Sequence, residues 1–185
     1  MVIKGKDISI VKIFFLILYY GFARHLPNSN SCWKIGGIIR RFVCRHIFKK
    51  CGKNINIERK AWFASGIEIE IGDNSGIGIN AHIPNGTIIG DNVMMGPNCF
   101  ILDVNHNYSN TNIPMSFQGF QKKKITKIGN DVWIGRDVFI TPDRIISDHS
   151  IIAARSVLCK DFPEYSIIGG NPSKVIRDRR KTFRY

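Results

Sequence analysis

From Ile71 to Leu158 an aliphatic side chain returns at every sixth position. One run of hexads starts at Ile71, Ile77, Ile83, Ile89, Met95 and Ile101, and a second at Ile128, Ile134, Ile140, Ile146, Ile152 and Leu158. Four residues after each start the side chain is usually small or β-branched: Ser75, Ala81, Thr87, Val93 and Cys99, then Val132, Val138, Ser150 and Ser156. Glycine follows the start at Gly72, Gly78, Gly90, Gly96, Gly129 and Gly135, where a corner needs positive φ or close backbone approach. Neither an α-helix nor an alternating strand repeats at six. The pattern predicts a prism: each hexad makes a short flat strand and a corner, three hexads make one coil, and the starts stack inside as ladders. One coil cannot bury its apolar face alone, so the coils must stack.

Outside the two runs the pattern changes character. Residues 8–22 (ISIVKIFFLILYYGF) are apolar apart from Lys12. At about 15 residues they fall short of the roughly 20 needed to span a bilayer, and no small-residue cleavage pattern follows. A helix packed on the prism or on another subunit, a membrane-surface anchor and an uncleaved export signal all fit. Residues 31–50 predict a second helix, capped by Ser31, with Trp33, Ile38, Ile39, Phe42 and Ile47 as its apolar stripe and Gly52 at its end. Arg40, Arg41, Arg45, Lys49 and Lys50 surround that stripe, either as a solvated face or as an attraction to anionic lipid. Weak hexads begin at Cys51, Ile57 and Phe63 and slip by two residues before Ile71. After Ile101 the period fails until about Ile125, so residues 103–124 must leave the prism as a loop, and an ordered repeat carries a long excursion mainly where function wants one. The tail from Asp161, with Pro163 and Pro172, is expected to cap the open end. The expected organisation is a basic helical extension over 1–50, a prism over 51–160 with its loop, and a cap over 161–185.

Charge adds a polarity to this plan. The net charge is +13, but residues 1–60 hold 13 Lys and Arg against only Asp7 and Glu58, while residues 61–185 are nearly balanced. A basic extension on a near-neutral prism suggests an anionic surface or polymer as its neighbour. The five cysteines, Cys32, Cys44, Cys51, Cys99 and Cys159, form no CxxC pair, which favours small buried residues in a reducing cytoplasm over a disulfide framework. The expected location is therefore cytoplasmic, with peripheral attachment to the inner face of a membrane left open. No RNP, helix-turn-helix or zinc-finger pattern accompanies the charge, which argues against nucleic acid.

The stretches IGNDVWIGRDVFITP and IIAARSVLCKDFPEYSIIGGNPSKVIR resemble the hexapeptide-repeat O-acetyltransferases, the group that includes maltose, nodulation-factor, xenobiotic and capsule or lipopolysaccharide acetyltransferases. The resemblance covers roughly residues 51–180. It implies a left-handed parallel β-helix, a homotrimer, and acetyl-CoA lying between neighbouring prisms. His106 in DVNHNY matches the family's catalytic histidine. Acetyl transfer to a sugar hydroxyl needs a base for the hydroxyl proton, and imidazole chemistry suits that role near neutrality. Asp103 or Asn105 would orient the ring, although an Asp there equally caps a turn. Asn80 resembles the asparagine that faces the acceptor, its alternative being a corner residue in the left-handed region. Trp133 resembles the aromatic residue beside the pantetheine arm. Gly135, Arg136 and Ala154 align with positions whose main chain meets that arm, Cys159 and Lys160 stand where the family has Thr-Lys, and Lys174 and Arg177 match its basic cap residues, suited to the coenzyme's phosphates.

Departures qualify the match. PDRIIS replaces the family's PGVTIG, which brings Arg144 to a normally inward position, where an unpaired guanidinium is costly. Either this coil is distorted and Arg144 points outward, with Asp143 and Asp148 as candidate partners, or it serves at a subunit seam. The leading reading is acetyl transfer to a surface saccharide or its lipid-linked precursor, with Lys122, Lys123 and Lys124 suited to an anionic acceptor. N-acetyl or serine-type acetyl transfer to a small acceptor is the nearest alternative. A γ-class carbonic anhydrase-like zinc enzyme would need three converging histidines, for which His82, His106 and His149 are available at the wrong spacing; no metal is expected. A non-catalytic prism scaffold is the remaining reading.

Overall fold

The computed structural model describes residues 2–3, 6–7, 9–31 and 34–181; Cys32 and Trp33 lie outside the described residues. The hexads form a three-faced parallel β-helix. On the first face Lys50–Cys51, Glu70–Ile71, Ile88–Ile89, Lys127–Ile128 and Ile145–Ile146 lie side by side. On the second are Asn56–Ile57 and Gly76–Ile77, then Met94–Met95, Trp133–Ile134, Ile151–Ile152 and Ser166–Gly169. The third carries the bridges of His82 to Trp62 and Phe100, then Phe100–Ile101, Phe139–Ile140 and Val157–Leu158. Pairing steps by 18 residues from Ile71 to Ile89 and from Ile128 to Ile146, but by 20 from Cys51 to Ile71 and by 39 from Ile89 to Ile128. The two-residue slip and the loop are therefore insertions in an otherwise constant coil.

Eleven of the twelve aliphatic starts are buried; Met95 is half-buried. Ser75, Ala81, Thr87, Val93, Cys99, Val132, Val138, Ser150 and Ser156 fill the same core. Positive φ falls not on the glycines after the starts but two residues later, at Asn74, Asn80, Asn92, Asn98, Asp131, Asp137, Asp143, His149 and Arg155. Asn and Asp tolerate that region better than other residues with a Cβ. The glycines serve close approach. A Cβ on Gly78 would lie 2.1 Å from the Gly96 carbonyl oxygen in the next coil. Gly78→Ala is expected to cost about 1–3 kcal/mol of stability, whereas Gly76→Ala, whose Cβ would meet nothing nearer than 3.4 Å, should cost much less; urea denaturation of the two variants checks the contrast.

Two helices close the first coil. Helix α1 (Ile10–Gly21) starts at Ser9, whose Oγ accepts from Lys12 N, and buries Tyr19. Tyr19 Oη donates to Ala61 O at 3.0 Å and Tyr20 Oη to Ala64 O at 2.7 Å, so this apolar segment packs on the prism. Among the described residues no helix is long and apolar enough to cross a membrane. Helix α2 (Ile35–Ile47) is shorter than the sequence suggests. Ser31 Oγ donates to Asn28 O in a preceding turn instead of capping the helix, and Phe48 turns inward, 4% exposed, to feed the first strand before Gly52 is reached.

The faces of α2 also differ from expectation. Gly36, Gly37, Arg40, Val43, Cys44 and Ile47 point inward, while Ile35, Ile38 and Phe42 are exposed. Arg40 belongs to no solvated basic face: it is 0% exposed, because the carbonyls of Ile57, Leu26 and Pro27 converge on its guanidinium. At the other end the tail adds most of another coil. Phe162 bridges to Ile146 on the first face, Ser166–Gly169 extends the second, and Lys174–Asp178 returns antiparallel beside it. Arg179 Nη1 closes this cap by reaching Asp131 Oδ2 at 2.7 Å. Arg144 pairs with neither expected carboxylate. Its Nη1 meets Asp161 Oδ1 at 3.2 Å with the side chain 19% exposed, since Asp143 holds Lys124 and Asp148 holds Asn130.

Candidate active site

The chain leaves the third face after Ile101, and Leu102 N still donates to Ile140 O of the next coil. The loop then closes on itself as a hairpin. Lys124 N donates to Asp103 O, Gln121 N to Asn105 O at 2.7 Å, and Asn107 N to Gly119 O at 3.0 Å. Asn107 Nδ2 donates to the carbonyls of Gln118 and Phe120, and Gln118 Nε2 staples the tip through Asn110 O and Ile113 O. His106 sits in this ladder opposite Phe120, their ring centroids 4.3 Å apart. Beyond it the tip folds round an open hollow of about 550 Å³ that Tyr108, Asn112 and Met115 help to line.

His106 is thus a root residue of an ordered hairpin, exposed in the single protomer. Among the described residues no side chain hydrogen-bonds its imidazole. Asp103 points its carboxylate at Lys123 Nζ, 2.7 Å away, and Asn105 is held through its main-chain oxygen. Two of the three loop lysines are likewise committed within the chain, Lys123 to Asp103 and Lys124 to Asp143 at 2.6 Å.

Asn80 stands at the corner between the second and third faces with φ 54°. Its Nδ2 donates to Asn98 Oδ1 at 3.1 Å, and Asn98 Nδ2 donates to Asp137 Oδ1 at 2.8 Å. The Asn98 hydrogen bond, with Arg136 and Arg155 nearby, holds the Asp137 carboxyl below its ordinary range. The corner role of Asn80 is therefore real, and it forms part of a polar ladder running up the prism. Asn98 and Asp137 occupy the same hexad position as Asn80, three residues after a start, and that shared position is the signal in the sequence that marks the ladder. Phe120 carried no sequence signal, because its contact with His106 spans the loop.

The residues matched to coenzyme positions gather mainly on one face and its edge. Trp133, 52% exposed, lies on the outside of the second face beside Met94, 60% exposed. Gly135 follows it, and a Cβ there would come within 2.5 Å of Ala154 N. Arg136 turns its Nε to Asp137 Oδ2 at 3.2 Å, and its carbonyl accepts from Arg155 N. Lys174 and Arg177 lie on the return strand of this same sheet, opposite Gly169 and Ile167. Cys159 and Lys160 lie apart, beyond the third face, with Lys160 Nζ 5.5 Å from the Phe162 ring centre.

The three histidines occupy separate places. His82 is wedged between Trp62 and Phe100 at 4.0 and 4.2 Å; burial lowers its pKa, against the opposing charge of Asp103. His149 meets Asp131 at 3.0 Å and stacks on Tyr165. Among the described residues no three His, Cys, Asp or Glu side chains group as a metal site.

Residues 68–103 match the family model described as bacterial transferase hexapeptide (six repeats). The chain is 34% identical over 141 residues to the galactoside O-acetyltransferase of Escherichia coli K12, which spans 75% of this chain and 68% of that protein. A maltose O-acetyltransferase from Clostridium difficile 630 superposes with a TM-score of 0.73 at 30% identity, over 92% of this chain and 87% of its own. A hexapeptide-repeat-containing acetyltransferase from Vibrio cholerae O1 biovar eltor, complexed with acetyl coenzyme A, also gives 0.73, at 25% identity over 97% and 96%.

Proposed function

The chain belongs to the hexapeptide-repeat acetyltransferase family, and from that premise we propose that it moves acetyl from acetyl-CoA to a sugar hydroxyl, with His106 as general base. The acceptor is a surface polysaccharide or its precursor, and the working unit is a homotrimer. The observation that carries this reading is the placing of His106. The only long insertion in the described prism begins directly after Ile101, and it holds an imidazole at its root, ordered by a hairpin and by Phe120.

In the reaction the neutral imidazole of His106 takes the acceptor hydroxyl proton as the oxygen attacks the thioester carbonyl. Collapse of the tetrahedral adduct breaks the carbon–sulfur bond, and the imidazolium returns its proton to the departing thiolate of coenzyme A. The ester product and free coenzyme A leave the imidazole neutral again. Trp133 with Met94 offers an apolar strip for the neutral pantetheine arm, while Lys174 and Arg177 on the adjoining strand suit the phosphates. This one face would be covered where a neighbouring prism lies alongside it. Asn80, held by Asn98, is the proposed contact to the acceptor, and Asp103 and Asn105 shape the hairpin beneath it.

Acetyl transfer from labelled acetyl-CoA to a panel of saccharides and small amines tests the acceptor class. Ester products on saccharides are expected, and amide products alone would overturn the reading. Coenzyme A is expected to raise the melting temperature of the wild-type protein, with the gain at a fixed concentration reduced in Trp133→Ala. An unchanged gain would remove Trp133 from the coenzyme site.

A further inference from the structure

The cap over the first coil has two apolar sides. The side toward the prism buries Tyr19, Val43, Cys44 and Ile47. The other side presents Ile10, Phe14 and Ile17 of α1 and Ile35, Ile38 and Phe42 of α2, each between 52% and 83% exposed. On each helix these residues recur at the spacing of one helical stripe. The helices also touch through Phe15 and Phe42, whose centroids are 6.0 Å apart, so the two stripes adjoin. A contiguous apolar patch of this kind on a globular surface marks a binding site rather than scattered exposure.

Charge identifies the occupant. From residue 8 to residue 57 the chain contains no Asp or Glu. Arg40 is buried and Lys49 is paired with Glu70 at 2.7 Å; Lys34 at the start of α2 and Arg45 within it are exposed, Arg45 Nη2 also donating to Gly52 O, Arg41 is half-buried on the same helix, and Lys50 and Lys53 follow exposed on the first coil. A second copy docking end to end would bring this cationic rim against itself. Helix α1 is 12 residues long, about 18 Å, too short to cross a hydrocarbon core of about 30 Å but suited to lying in its surface.

From this geometry we infer that the α1–α2 cap docks on an anionic lipid surface, its apolar stripes in the headgroup boundary and its cations on lipid phosphates. The prism then stands on its capped end. From Trp62 to Phe100 the third face rises by two strand spacings, roughly 10 Å, so the root of the His106 hairpin lies within reach of a lipid-linked saccharide. That consequence rests on the catalytic reading; the docking itself does not.

Co-sedimentation of the 185-residue chain with vesicles of phosphatidylcholine alone, and of phosphatidylcholine mixed equally with phosphatidylglycerol, tests it. Binding to the mixed vesicles is expected, weakening as salt is raised. The double substitution Phe14→Ser/Ile17→Ser is expected to lower affinity for those vesicles at least about tenfold. Arg41→Glu/Arg45→Glu should also lower it and flatten the salt dependence. Unchanged circular dichroism and elution volume show that each variant remains folded. Absence of vesicle binding by the wild type, or binding untouched by both variants, would overturn the inference. So would a wild-type assembly that the apolar variant splits while vesicles are ignored, which would assign the patch to a second copy. None of these readouts uses acetyl transfer, so failure here is separate from failure of the catalytic proposal.

Discussion

His106→Gln is expected to lower kcat by about a hundred- to ten-thousand-fold, the usual contribution of a positioned general base, with KM for acetyl-CoA little changed. The physical reason is that glutamine can hydrogen-bond a hydroxyl but cannot accept its proton. The hairpin should survive, since it is held by main-chain bonds at Asp103, Asn105 and Asn107 and by the Asn107 side chain. Steady-state kinetics beside stabilisation by coenzyme A separates the outcomes. Loss of transfer with retained stabilisation supports the base, and near-full transfer would remove His106 from the chemistry. Asp103→Asn is expected to cost less, because in the protomer that carboxylate faces Lys123.

Arg40→Met should destabilise the protein by about 3–5 kcal/mol, the cost of breaking a buried charge cluster from one side. Arg40 Nη1 donates to Leu26 O and Pro27 O, both at 3.0 Å, its Nε donates to Ile57 O, and its Nη2 lies 3.7 Å from Glu58. Methionine would fill much of the volume yet leave carbonyl oxygens dry and unpaired, at a cost for each comparable to a lost hydrogen bond. Burial lowers the Arg40 pKa, opposed chiefly by Glu58. For Glu58 burial pushes the carboxyl up, but hydrogen bonds from Ser29 and Asn56 and the Arg40 charge outweigh it, and the net direction is down. Stability from this depressed carboxyl is present above the ordinary glutamate pKa and is lost as pH falls through the lower folded value. Urea denaturation across that acid range should show a pH-dependent loss in the wild type that is smaller in Arg40→Met. An equal midpoint for the two proteins at neutral pH would show that the clamp contributes little.

Much of the fold was legible because the hexad constrains every coil in the same way. A start that failed to point inward would break a ladder, so the twelve positions carry redundant information. The loop was legible for the complementary reason: a span that is no multiple of six cannot remain in register. Arg144 shows where the rule stops. Its position in the hexad was readable, but its partner Asp161 lies in the following coil, where only stacking brings it near. In the same way Asn80 could be named, whereas the ladder through Asn98 and Asp137 depends on the coil spacing across the loop.

The helical cap was the least legible part. Trp33, expected on the apolar stripe, lies outside the described residues. Ile38 and Phe42 have the spacing of a core stripe and nevertheless face outward, while Arg40 between them faces in. Helical periodicity reports that a stripe exists, not which side of the helix the protein will cover. That choice fell to Gly36 and Gly37, where any Cβ would strike Pro27 O or Ser29, and to the carbonyls waiting at Arg40.

By itself the amino-acid sequence determined the repeating prism, the point where it opens, the histidine at that opening and the concentration of cations in the first sixty residues. These are properties of order and spacing along one chain. Tertiary structure alone decided what each spacing faces: Phe120 on His106, Asp161 on Arg144, and an apolar surface left uncovered on the outer side of α1 and α2. Such contacts join residues far apart in sequence, and they exist only once stacking has set the distances between coils.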